Sequence, residues 1–213
     1  VDGDAIPDSI SPATWGITAL GHSLLGPGTA AFASTPATPH YPAVSFVARI
    51  VLLVDPVDQG AGIANHSDST GPGDWAFYVR RTTQVLSVTV PPVGGAPGFG
   101  TTVLSLGTAY TVGFTRAGST YKVYVDGAFD GMETLGAPET AAFPLHLQSN
   151  LVNPIGAIAW ARHYARTLSD AEMFALHVEP YADLKPIARR RYVVPAAVAT
   201  AFPALYYARQ RGA

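Results

Sequence analysis

The sequence predicts an all-β protein, a two-sheet antiparallel sandwich with one short C-terminal helix and an extended C-terminal arm. Three observations predict it. Tyr110, Val112 and Phe114 alternate with Thr111, Gly113 and Thr115, and Tyr121, Val123 and Val125 alternate with Lys122, Tyr124 and Asp126, the period of two of strands with one buried face. Arg116-Ala117-Gly118-Ser119 and then Asp126-Gly127 supply the turns of a meander. Composition agrees: charged residues are 13% and hydrophobic ones 48%, with 21 Gly and 18 Pro, a balance for many short strands joined by tight turns. A meander with one apolar face needs a second layer, which the remaining apolar segments supply.

The first 42 residues, rich in Pro, Ala, Ser, Thr and Gly, predict a mostly irregular segment that contributes one strand over 15–20 and joins the sandwich or leads into it. Residues 43–54 (AVSFVARIVLLV) form the longest run rich in β-branched residues. Val44, Phe46, Ala48, Ile50 and Leu52 share one face while Val47, Val51 and Leu53 cover the other, which predicts a central strand ended by Asp55-Pro56. A short strand at 62–65, a turn-forming loop at 66–74, a hairpin of 75–80 with 85–90, a Pro/Gly loop at 91–100 and strands at 102–106, 144–148 and 155–164 follow. Ser169-Asp170-Ala171-Glu172 reads as a capping box, with Leu168 and Met173 at the staple positions and Pro180 as the stop, so a helix is expected at 169–178.

Two passages carry a family resemblance. Tyr124-Val125-Asp126-Gly127 closes one strand, and Tyr164-Ala165-Arg166-Thr167-Leu168-Ser169-Asp170-Ala171-Glu172 follows another. Together they resemble the last half of a laminin G-like, concanavalin A-type jelly roll. The likeness is good over 104–184 and extends over 43–103. It implies a sandwich domain at 43–184 with sheets of six or seven strands, although only about ten can be counted in the sequence. A narrower likeness joins Glu179-Pro180-Tyr181-Ala182-Asp183-Leu184 and Arg189-Arg190-Arg191-Tyr192-Val193-Val194-Pro195 to the ends of such domains in tailed-bacteriophage structural proteins. It implies a virion component of head or tail.

The chemistry-bearing residues point away from catalysis. The four glutamates, Glu133, Glu139, Glu172 and Glu179, fall in turns or the helix, and the Glu-x-Asp-x-x-Glu string of related β-glucanases is absent, so no enzyme is expected. Gly21-His22-Ser23-Leu24-Leu25-Gly26 lacks the second glycine of a nucleophile elbow and reads as a loop. The six histidines have no i,i+4 pair and there is no cysteine, so neither zinc nor a disulfide is expected. The best ligand candidates are Asn65, His66, Asp68, Asp74 and Trp75: their oxygens could hold calcium, a weak cofactor expectation, and Trp75 could stack on a sugar. The alternative reading is a solvated turn with Trp75 buried beside Phe77 and Val79.

Charge is divided along the chain. Residues 185–213 hold six of the 13 cations and none of the 15 acids, leaving a body near −8 and a tail near +6. This arm, broken by Pro195 and Pro203, is expected to dock on a neighbouring subunit: Arg189, Arg190 and Arg191 pair with carboxylates, while Tyr192, Phe202, Leu205, Tyr206 and Tyr207 supply apolar anchors. Nucleic-acid contact through the arginines is the weaker reading. No apolar run approaches the roughly 20 residues of a membrane span. The expected partners are other virion proteins or copies of the chain, in an oligomer, together with a host-surface glycan. The expected place is the virion, the alternative being a glycan-binding module of a secreted or cell-surface protein.

Overall fold

A computed structural model describes residues 9–11, 14–18, 21–25, 32–53, 60–67, 73–90, 99–136, 138–148, 153–154 and 156–181. Among them the strands are β1 Ser9–Ser11, β2 Thr14–Thr18, β3 Gly21–Leu25, β4 Phe32–Thr38, β5 Ala43–Leu52, β6 Ala61–Ser67, β7 Gly73–Val79, β8 Leu86–Thr89, β9 Ala109–Ala117, β10 Thr120–Val125, β11 Ala128–Thr134, β12 Phe143–Leu147, β13 Asn153–Pro154 and β14 Gly156–Tyr164. The helix α1 spans Asp170–Val178. The strands form two seven-stranded sheets, one ordered β1-β4-β12-β6-β7-β8 with β13 beside β6, the other β11-β10-β9-β5-β14-β3-β2. This is the two-sheet jelly-roll sandwich that the alternation predicts.

The inner faces meet in one core. Phe46, Ile50 and Leu52 of β5, Phe114 of β9 and Val123 of β10 face Ile63 of β6, Trp75 and Phe77 of β7 and Leu86 of β8, all fully buried. The rings interlock: Trp75 and Phe114 lie edge to face at 4.8 Å between centroids, and Phe77 meets Phe114 at 5.4 Å. The outer face of β5 is covered as its sequence requires, because Val47 packs with Tyr124, Tyr164, Leu168, Met173 and Leu176 beneath α1. The helix lies close to the sheet because Gly113 lacks a side chain: a Cβ there would come within 2.6 Å of Met173 Cε. The turn from β10 to β11 uses positive φ at both Asp126 (49°) and Gly127 (78°), as a two-residue hairpin demands.

The capping box forms as read. Ser169 Oγ accepts from the Glu172 amide at 3.3 Å, and Glu172 Oε2 accepts from the Ser169 amide at 2.8 Å. Loss of such a cap costs about 1 kcal/mol. Hydrogen bonds from Arg166 and Ser169 hold the Glu172 carboxyl down at about 2.

Three sequence readings are corrected. Where one strand was expected before residue 43, the described residues form four, β1 to β4; β4 lies between β1 and β12, and β3 pairs with β14. Prolines and hydroxyl residues hid these strands by breaking the apolar alternation, and Pro144, across from β4, sits beside a register shift where a missing donor is tolerated. Gly21–Leu25 of the elbow-like passage is strand β3, not a loop. No strand forms at 102–106. Asp130 is left unpaired by a bulge in β11, and its carboxylate accepts from the amides of Thr101 and Thr102 at 3.1 and 2.9 Å and from both hydroxyls, drawing that segment into a turn. The same segment reaches the other sheet through Gly100 N to Leu86 O at 3.1 Å and so closes one side of the sandwich.

The chain divides into two units, Val1–Pro180 and Tyr181–Ala213. Every arm residue named above lies outside the described residues. No helix among the described residues is long and apolar enough to cross a membrane.

Candidate functional site

The predicted ligand residues are brought together, but inside the molecule. Asn65, His66, Asp74 and Trp75 are all buried, while Asp68 lies outside the described residues. A register shift between β6 and β7 pairs His66 with Trp75 and Ser67 with Gly73, leaving Asp74 as the extra residue whose carboxylate points into the sandwich. There it meets Arg116, which sequence reading placed in a hairpin loop. The structure keeps Arg116 in β9 and fully buried, two residues beyond Phe114 on the same inward face.

Arg116 Nη1 donates to Asp74 Oδ1 and, at 3.3 Å, to the Tyr121 hydroxyl, while Nη2 donates to Tyr41 O and to Asp74 Oδ2. His66 Nδ1 donates to Asp74 Oδ2 at 3.2 Å, and its Nε2 shares a hydrogen bond with the Thr38 hydroxyl at 3.0 Å. His40 Nδ1 is 3.2 Å from Asp74 Oδ1 without the alignment of a hydrogen bond. Burial alone would push the Asp74 carboxyl up, but the bonds from His66 and Arg116 and the nearby positive charge hold it below its usual value. His163 lies beside this cluster, its ring stacked 6.1 Å from that of Trp75, and burial pushes its imidazole down to about 4, with His66 adding to the fall.

This cluster ties three parts of the sandwich together: the link from β4 to β5, the paired strands β6 and β7, and the β9–β10 hairpin. The Asp74 carboxylate is already paired with Arg116 and His66, and Trp75 presents no face to solvent for a sugar ring. Among the described residues no group of three or more His, Cys, Asp or Glu side chains is placed to hold a metal ion, and the Asp74 oxygens offered for calcium are taken by Arg116 and His66.

A cleft accessible from solvent lies elsewhere, on the outer face of the second sheet against the start of α1. It encloses about 540 Å³ and is lined by Thr115, Ala117, Thr120, Lys122, Tyr124 and residues 167–171. The pairings of β9, β10 and β11 set its floor: Lys122 stands between Thr115 and Met132, and Tyr124 between Gly113 and Phe129. The Tyr124 hydroxyl donates to Asp170 Oδ1 at 2.7 Å, and Lys122 Nζ is 3.6 Å from the same oxygen. Burial pushes the Tyr124 phenol up to about 12, with the Asp170 carboxylate contributing to the rise, so it serves as a hydrogen-bond donor at neutral pH. Beside the cleft Phe129 keeps 51% of its surface exposed, its ring edge-on to Tyr124 at 6.2 Å and under Lys122 Nζ at 5.8 Å. Sequence reading missed this site. Lys122 and Tyr124 read only as the outward face of a strand, and nothing local shows that residues 167–171 close over them.

No family model matches the sequence, and no curated protein matches it. Solved structures do match its fold. A sialidase from Trypanosoma rangeli, in complex with the inhibitor DANA, superposes with a TM-score of 0.60 at 17% identity over 82% of this chain and 29% of that one. The heptameric SAP-like pentraxin of Limulus polyphemus gives 0.53 at 13% over 81% and 80%. The binding domain of botulinum neurotoxin DC, in complex with SialylT, gives 0.54 at 13% over 78% and 46%.

The fold shared with these neighbours is a jelly-roll β-sandwich. The chain spans less than a third of the length of the sialidase it matches. These neighbours correct the expectation of a non-enzyme: the sandwich occurs within sialidase chains, so a missing β-glucanase string does not set this fold apart from enzymes. None of the three neighbours is a phage protein.

Proposed function

We propose that this chain is a carbohydrate-binding β-sandwich module whose ligand sits in the outer cleft beside α1. The observation that carries the reading is the exposed Phe129 ring beside a lining of hydroxyls, one ammonium and one carboxylate. An apolar platform next to convergent polar groups suits a sugar, whose ring has one face of C–H bonds and a rim of hydroxyls. The fold neighbours add support, since one is bound to SialylT and another to a sialidase inhibitor. A glycan array followed by calorimetry of the strongest hit tests the reading. Phe129→Ala and Lys122→Ala are each expected to weaken binding at least fivefold, about 1 kcal/mol, with the fold unchanged by circular dichroism. Binding indifferent to both substitutions, or no glycan bound at all, would overturn it.

Attachment of the module to a larger assembly through residues 185–213, in a virion or at a cell surface, is a finer proposal supported by the basic, aromatic sequence of that arm. A chain ending at residue 185 is expected to keep its sandwich and lose incorporation. Normal incorporation of the shortened chain in a co-sedimentation assay would remove the arm from that role.

A further inference from the structure

We infer that the cleft takes an uncharged pyranose with a vicinal diol, its hydroxyls on Asp170 and its apolar face on Phe129. The inference deepens the sugar-binding reading of the cleft and rests on it. Lys122 Nζ stands 3.6 Å from Asp170 Oδ1 and 5.8 Å from the centre of the Phe129 ring, so one ammonium is near both the carboxylate and the aromatic ring. Oδ1 already accepts from Tyr124, whereas Oδ2 has no donor among the described residues. Neighbouring sugar hydroxyls fit this pair: one donates to Oδ2, and the next accepts from Nζ or donates toward Oδ1.

Charge sets the class of sugar. The cleft lining holds one cation and one anion, and the anion is the more exposed, with 65% of the Asp170 side chain open against 39% for Lys122. The other carboxylate of this helix turn, Glu172, is held by Arg166 and Ser169. A sugar bearing its own carboxylate would have to separate Lys122 from Asp170 or lie beside a like charge. An uncharged diol satisfies both groups where they stand.

Matched sugars that differ only at C6 isolate this effect. Methyl glucoside against methyl glucuronide, and methyl galactoside against methyl galacturonide, are to be titrated into the full chain at low ionic strength and followed by chemical-shift changes. The neutral member of a bound pair is expected to bind about three- to tenfold tighter, with the margin shrinking as salt is raised. Asp170→Asn keeps an acceptor for Tyr124 and is expected to bring the two members within about twofold. A uronide that binds the unaltered chain as well as its neutral partner overturns the inference while leaving the cleft a sugar site. Loss of the cleft itself is read separately, from Phe129→Ala having no effect on any bound glycan.

Discussion

Replacing Asp74 by alanine is expected to cost about 3–5 kcal/mol and to lower the melting temperature by roughly 10 °C, because it strands a fully buried guanidinium. Arg116 keeps Tyr121 and the Tyr41 carbonyl as partners, but both are neutral, and His66 loses its acceptor in the same step. The effect belongs to breaking the pair, not to its absence. A double replacement, Asp74→Leu with Arg116→Met, should therefore recover much of the loss, since two apolar groups leave no charge to compensate. Urea denaturation of the two variants beside the parent checks this. An Asp74→Ala protein within 1 kcal/mol of the parent would show that Arg116 does not depend on that carboxylate.

His163 makes the sandwich sensitive to mild acid. An exposed imidazole in the unfolded chain takes up its proton near pH 6.5, whereas the folded one, buried and facing His66 and Arg116 with only Asp74 to favour its charge, does so at about 4. The unfolded state thus binds the extra proton first. Stability from this group is complete above pH 6.5, declines as the pH falls through that window, and is exhausted below about 4, an expected loss on the order of 3 kcal/mol. His163→Phe keeps a ring against Trp75 and Tyr41 but cannot titrate, so its stability should fall far less between pH 6.5 and 4. His146, also shifted down by burial, leaves a residual slope. Parallel pH profiles for the parent and His163→Phe, measured by denaturant midpoint, would refute the assignment.

How much of this was legible depended on whether the controlling contact was local. The β9–β10–β11 meander and the helix cap could be read directly, because alternation, turn residues and the Ser-x-x-Glu spacing act within a few positions. Arg116 was misread for a more instructive reason. Its parity after Phe114 points inward, yet a buried cation is acceptable only with a carboxylate opposite, and Asp74 sits 42 positions away at the end of a run that looks like solvated turn. Neither residue makes sense without the other. Asp130 is similar: its bulge holds Thr101 and Thr102 in a turn where their sequence alone suggested a strand. The cleft was beyond reach in the same way, since α1 approaches β10 only once β14 has carried the chain across the sheet.

That long-range dependence also shapes how the chain becomes protein. Strand β5 is held on one side by β9 and on the other by β14, and the Leu168 amide that bonds Ser45 Oγ lies 123 positions downstream. During synthesis β5 is made well before either neighbour, and its partner β14 comes near the end of the sandwich. Until then a ten-residue strand, apolar on both faces, has two open edges, the condition under which nascent chains associate with each other or with chaperones. Folding must close these distant pairs at an entropic cost that local pairing avoids, which places the chain among slow folders. The strand that covers the second edge of β5 is thus also the one that ends the chain's most vulnerable interval.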